Sequence, residues 1–178
     1  MPSPEQLAAQ LRQLSQAISP RSIAKRIGTR AVQQAQDALE TEGASIGETW
    51  AARQEPGNTR RLLLGRGNLY RALQYRISGA EIQIGADGNV IPYAQIHNEG
   101  GQVPVTQQMR KFFWAKYYEQ SGGGKRTTPT ADFYKRLALT KKSAFTMPTR
   151  EFLRPDMPKL IAQVNHDIEG DVNKILRP

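Results

Sequence analysis

His97 and Glu99 are separated by one residue, a spacing that can set an imidazole and a carboxylate on one metal-bound water or one proton. The zinc-deaminase form of this H-x-E string needs two cysteines as further ligands, and the chain contains no cysteine. The only other histidine is His166, far along the chain, so a two-histidine zinc centre is not expected. The plainer reading is that His97 hydrogen-bonds locally and orders the turn into Gly100-Gly101. Gly100-Gly101 and Gly122-Gly123-Gly124-Lys125 both lack the spacing and Lys-Ser/Thr ending of a phosphate loop. Gly65-x-Gly67 is too short for a dinucleotide fingerprint. All three read as backbone freedom at turns. Two histidines so placed support no Ser-His-Asp or Cys-His arrangement. Asp87, Glu99 and Asp132 come from unrelated turns and give no Mg²⁺ site. The expectation is a protein that is not an enzyme, with no catalytic residue, metal or cofactor.

Contact chemistry is better represented. The run MRKFFWAKYY concentrates Phe112, Phe113, Trp114, Tyr117 and Tyr118. Aromatic side chains offer large contact area at low entropic cost and are enriched at protein interfaces. Interleaved with Lys and Arg they can also stack on bases, or they can form a satellite core. The favoured use is a protein interface, a contact between subunits. Arg150 and Arg154 flank Phe152-Leu153. Two readings stay open for them: arginines salt-bridged at the rim of a core built on Phe152 and Leu153, or bidentate grips on carboxylates across a subunit interface.

Charge points the same way. Lys and Arg number 25 against 16 Asp and Glu, a formal net charge of +9 and a pI near 10.0. Such a balance favours nucleic acid or an acidic protein surface. Many positive residues fall in pairs, among them Lys25-Arg26, Arg60-Arg61, Arg110-Lys111, Lys125-Arg126 and Lys141-Lys142, with no solid basic block. They read mostly as solvated faces or the charge of a ring lumen, not as a sequence-reading DNA surface. Hydrophobic residues make up 38%, enough for one core plus arms that order against partners. No apolar run nears the roughly 18 residues of a membrane span, and the polar start MPSPEQLAAQLRQL has no signal-peptide character. A cysteine-free chain of this kind is expected to be soluble and made in the cytoplasm.

The elements that must carry these residues follow from pattern. Ser3, Pro4 and Gln6 form a helix start of capping-box type, and Leu7, Leu11, Leu14 and Ile18 then make one apolar stripe. Ser19-Pro20 stops that helix and starts another, with Ile23, Ile27, Ala31, Ala35 and Ala38 on one face up to a glycine cap at Gly43. Residues 43–66 are irregular, with Trp50 as an anchor and Pro56-Gly57-Asn58 as a turn. A short helix follows Gly65 or Gly67. YRIS and EIQIG alternate as half-buried strands with Ile77, Ile82 and Ile84 inward, and Ala86-Asp87-Gly88-Asn89 is a further turn. Residues of about 103–146 read as an insertion, a helical hairpin or a loop: an aromatic helix with Met109, Phe112, Phe113 and Tyr117 at helical spacing, a SGGGKRTTPT stretch, and a second helix at DFYKRLAL. The chain closes on an amphipathic helix carrying Met157, Leu160 or Ile161, Val164, Ile168, Val172 and Ile175. The expected class is α+β, a small antiparallel sheet packed by the long C-terminal helix and part of the long N-terminal helix, with N-terminal helices (a 1–42 arm before a 43–178 domain) and the helical, aromatic insertion.

In order, several of these stretches resemble the phage virion morphogenesis family, the tail completion proteins of tailed phages. The resemblance is carried by Trp50, by Leu64-Gly65-Arg66-Gly67-Asn68-Leu69, by Tyr93-Ala94-Gln95-Ile96-His97-Asn98-Glu99-Gly100-Gly101, by Pro148-Thr149-Arg150-Glu151-Phe152-Leu153 and by the final helix. It covers residues of about 40–178, with Trp50, Tyr93, His97, Gly100, Gly101 and Phe152 as structural motif positions. What it implies is a structural virion protein that completes or terminates the tail and joins it to the head, assembled in the host cytoplasm. Its expected state is a homo-oligomeric ring, a hexamer because tail tubes are built from hexamers, and its expected partners are the tail tube and neck or connector proteins. A basic lumen could help screen passing DNA, and no membrane contact is expected. The rival readings are a nucleic-acid-binding protein and a head-side adaptor or stopper of the connector.

Overall fold

The computed structural model describes residues 3–65 and 67–177. Two N-terminal helices come first, α1 (Pro4–Ala17) and α2 (Pro20–Glu40). Both start on local capping chemistry. The Ser3 hydroxyl accepts from Gln6 N at 3.2 Å while Gln6 Oε1 accepts from Ser3 N at 2.8 Å, and the Ser19 hydroxyl accepts from Ser22 N ahead of Pro20. Gly43, at φ +93°, closes α2 by donating its N–H to Ala38 O at 2.8 Å. The Trp50 indole lies so close to this glycine that a Cβ there would sit 2.7 Å from Nε1, so the turn and the tryptophan specify each other.

After a 3₁₀ turn at Ala44–Ile46 and an irregular stretch, α3 (Asn68–Ala72) leads into the antiparallel hairpin of β1 (Leu73–Ser78) and β2 (Glu81–Ala86). Tyr75 pairs with Ile84 and Ile77 with Ile82, which puts the four half-buried apolar residues on one face, as the alternation predicts. That face meets α2. The approach is close because Gly28 has no side chain: a Cβ there would lie 2.3 Å from Tyr75 Cδ2. The C-terminal helix α7 (Met157–Leu176) packs on α2 and α1, so α2, not the C-terminal helix, carries the hairpin. Leu160 and Val164 of α7 are buried. Arg30 pairs with Asp167, and Arg26 Nη2 lies 2.7 Å from Asp171 Oδ2. Gln34 bridges the same seam, accepting from Asp156 N at 2.8 Å and donating to Gln163 Oε1 at 3.1 Å.

The α+β class is as expected, but among the described residues the strands form two separate two-stranded sheets, not one. The second joins β3 (Gly101–Pro104) to β4 (Ala144–Met147), with Val103 opposite Phe145. This ribbon is the base from which residues 107–142 rise as a helical hairpin, α5 (Gln107–Gln120) and α6 (Pro129–Ala138). The main core collects Ala35, Ala38 and Leu39 of α2 with Trp50, Leu62, Leu69, Leu73, Ile91, Ala94 and Phe152. A satellite core under the helical hairpin contains Phe113, Ala131 and Ala138. No helix among the described residues is long and apolar enough to cross a membrane.

Candidate functional site

The Tyr-Ala-x-Ile-His stretch forms a short helix, α4 (Ala94–Glu99), which ends at Gly100 (φ +73°) and Gly101 (φ +139°). Neither glycine can carry a side chain without displacement: a Cβ would lie 2.6 Å from Thr149 Oγ1 at Gly100 and 2.8 Å from Ile96 Cδ1 at Gly101. The segment from Thr149 to Leu153 is laid along this turn by four bonds. Thr149 Oγ1 donates to Glu99 O at 3.3 Å and Arg150 N to His97 O at 2.8 Å. Phe152 N and Leu153 N both donate to Asn98 Oδ1, at 3.1 and 3.0 Å. These bonds deliver Phe152 to the core, where it is 1% exposed.

His97 and Glu99 do not converge on a shared target. The Glu99 carboxylate accepts from Gln95 Nε2 along the helix, whereas His97 Nδ1 faces Arg150 Nη1 at 3.4 Å and its ring meets Tyr93 edge-on. Burial, then the charges of Arg150 and Arg53, hold the His97 imidazole below its usual pKa, so Nδ1 is available as the acceptor. His166 is exposed on α7. Among the described residues no three His, Asp or Glu side chains gather where they could hold a metal. His97 thus bonds the remote Arg150 through both its ring and its carbonyl, where the sequence had suggested a partner within its own turn.

Arg150 is buried, 7% exposed, and Arg154 is not. Arg150 donates from Nη2 to Ala51 O at 3.0 Å, its Nε has no hydrogen-bond partner, and no carboxylate pairs with it among the described residues. Burial first, and Arg53 second, lower its pKa from the ordinary arginine value. Arg154 instead lies at the surface between Glu48 (2.9 Å) and Glu151 (3.5 Å). The two arginines that looked equivalent in sequence therefore have different work: one joins its own segment to the loop at Ala51 and to α4 from inside, the other is a surface ion pair of small energetic weight.

Arg150, His97 and Arg53 border an open groove of about 890 Å³, lined elsewhere by Met109, Phe113, Phe133 and Phe145. The one acidic side chain on it among the described residues, Glu55, is engaged by the Tyr134 hydroxyl at 2.6 Å and Asn58 Nδ2 at 2.7 Å. That geometry lowers the Glu55 pKa and, with burial as the larger cause, pushes the Tyr134 phenol up to about 12. The groove can receive an apolar segment with a negative group. It shows no nucleophile set against a base.

The aromatic helix divides its residues. Phe113 turns inward, 6.0 Å from the Phe145 ring and 6.5 Å from Tyr134. Trp114 stacks on Tyr118 with centroids 6.0 Å apart, and Tyr117 meets both edge-on. Phe112 and Tyr118 are each 53% exposed. One run therefore supplies both a satellite core and a surface aromatic group. Asn98, Gln34 and the Glu55–Tyr134 pair went unnoticed in the sequence because each acts on a partner remote along the chain.

Arg66, in the middle of the Leu64–Leu69 motif, lies outside the described residues. No curated protein and no solved structure matches the chain. A family model does, over residues 4–177, which extends the resemblance seen from about residue 40 back through α1 and α2. On that match the chain belongs to the phage virion morphogenesis family.

Proposed function

We propose that the protein is a structural subunit that completes the phage tail and joins it to the head, acting as a ring, with six copies as the expected number. The observation that carries this reading is the family match over residues 4–177, which spans both the core and the elements with exposed apolar faces. Leu7 and Leu11 on α1 and Ile18 at its C-cap are 51%, 59% and 52% exposed, and Phe112 and Tyr118 on α5 add an aromatic surface. Exposed apolar side chains gathered on two separate elements suit a closed ring, whose head-to-tail contacts require two different complementary surfaces. Arg154, with its ion pairs at the surface, is placed to exchange them for a neighbour's carboxylate. The function is mechanical: cap the growing tube, then present a docking surface to the neck. No catalytic role is assigned.

Negative-stain electron microscopy of the purified protein, alone and mixed with tails that lack it, tests this reading. Rings, and a cap at one tail end, are the expected result. A protein that stays monomeric and ignores tails would overturn it. Attachment to isolated heads in place of tails would move the subunit to the head-side adaptor position.

A further inference from the structure

Residues 107–142 hold nine of the 25 Lys and Arg and only two of the 16 Asp and Glu. The α5–α6 hairpin therefore carries a net +7 of the chain's +9, although it is about a fifth of its length. The fold puts this charge on one helical unit, joined to the rest by the β3–β4 ribbon at its base and by bonds from α6 to the loop at residues 55–58, Tyr134 to Glu55 and Thr130 Oγ1 to Pro56 O. Three of its cations are committed within the chain. Arg110 donates to Ala138 O and Thr140 O, Lys116 pairs with Glu119, and Lys135 lies 5.7 Å above the Tyr117 ring. The other six, Lys111, Lys125, Arg126, Arg136, Lys141 and Lys142, are exposed and pair with no carboxylate among the described residues.

We infer that this hairpin is a contact arm for the phosphate backbone of duplex nucleic acid, read without regard to sequence. Charge complementarity selects a polyanion. The type of cation then separates nucleic acid from an acidic protein. Four of the six uncommitted cations are lysines, flexible point charges that are depleted in protein interfaces but serve well on phosphates, where no bidentate geometry is needed. Their placement agrees. Lys125-Arg126 follow the far end of α5 and Lys141-Lys142 lie near the ribbon at its base. The 14 residues of α5 extend about 21 Å, so the two pairs are set to straddle about six base pairs of one strand. The inference goes beyond tail completion and does not require a ring.

The test uses the full chain and a fluorescein-labelled duplex of about 20 base pairs and arbitrary sequence, titrated between about 50 and 200 mM salt. One variant carries Lys125→Gln, Arg126→Gln, Lys141→Gln and Lys142→Gln. A second loses the same charge elsewhere through Arg12→Gln, Arg21→Gln, Lys25→Gln and Arg76→Gln, all exposed positions outside the hairpin. Wild type is expected to bind with a steep salt dependence. The hairpin variant is expected to bind at least about tenfold more weakly, with its slope of log K against log salt reduced by about 3 to 4, while the second variant stays near wild type. Absence of duplex binding by wild type, or equal weakening in both variants, overturns the inference. So does tighter binding of labelled poly-glutamate than of duplex at matched charge, which would assign the hairpin to an acidic protein. Tail capping by the hairpin variant is scored separately: caps without duplex binding locate the loss in the arm and leave tail completion standing.

Discussion

Asn98 satisfies two backbone donors with one side-chain oxygen, and those donors belong to a segment more than fifty residues away. Asn98→Ala leaves the N–H groups of Phe152 and Leu153 without that acceptor, and an unsatisfied buried donor costs about 1–3 kcal/mol. The variant should lose about 2 kcal/mol or more in urea unfolding, and Asn98→Asp, which keeps an oxygen in place, should lose less. Equal losses would mean that the oxygen is not what holds the segment. His97 gives the pH counterpart. Its folded pKa is held below the ordinary imidazole value by burial and by Arg150 and Arg53. The unfolded chain therefore binds the proton first as pH falls. Stability is complete above the unfolded value, about 6.5, and declines as pH drops from there toward the folded one. The Glu55 and Asp167 carboxylates, whose pKa values are also lowered, act in the same direction but only at more acid pH. Thermal melts at pH 7.5, 6.5 and 5.5 should show this decline in wild type and a flatter profile in His97→Gln. Parallel profiles would remove His97 as the titrating group.

At the level of elements, the seam between α2 and the hairpin depends on Gly28. Alanine normally favours a helix interior over glycine by about 1 kcal/mol. Here its Cβ would meet the Tyr75 ring at 2.3–2.8 Å, and overpacking of this kind costs typically about 1–3 kcal/mol. Gly28→Ala should therefore destabilise the protein, and the same change made in a Tyr75→Ala background should cost little or become favourable. A double-mutant cycle with no interaction energy would show that the helix and hairpin do not meet there. The seam also marks how far the sequence could be read. Helix starts at Ser3 and Ser19, the turn at Gly43 and the alternation of β1 and β2 were legible because each is set by neighbours within a few residues. β3 and β4 were not: four residues each, GQVP and AFTM, they lack a readable alternation and pair across the whole helical hairpin. That part of the long N-terminal helix packs the sheet was expected, but the closeness of the contact was not. An amphipathic C-terminal helix announces a buried face, but Gly28 announces a close approach only once Tyr75 is in place. In the candidate site, the Gly100-Gly101 turn could be read locally, whereas the partner of His97 and the separate fates of Arg150 and Arg154 were set by the approach of residues 48–51 and of α4.

For the molecule as a whole, the informative surface is α1. Its capping box and its contacts with α7, including Gln10 Nε2 to Ile175 O at 3.3 Å, fix the helix in place. Its apolar stripe nevertheless stays largely in water, with only Leu14 partly covered and Leu7, Leu11 and Ile18 each more than half exposed. A stripe of this kind contributes little to the stability of one copy, because surface substitutions are usually worth within about 0.5 kcal/mol. It contributes to an assembly as soon as a neighbour covers it, at about 25 cal/mol for each Å² of apolar surface removed from water. Leu7→Ser combined with Leu11→Ser should therefore leave the melting temperature of the dilute monomer nearly unchanged and shift the assembly toward lower mass. Size-exclusion chromatography with light scattering measures the second effect and calorimetry the first. Assembly unchanged by the substitutions would take α1 out of the ring contact and leave the aromatic face of α5 as the surface to test. A melting temperature lowered by several degrees would show instead that α1 is held mainly by its own chain. The predicted combination, unchanged monomer and weakened assembly, is what distinguishes a surface shaped for a neighbour from one that merely completes the fold.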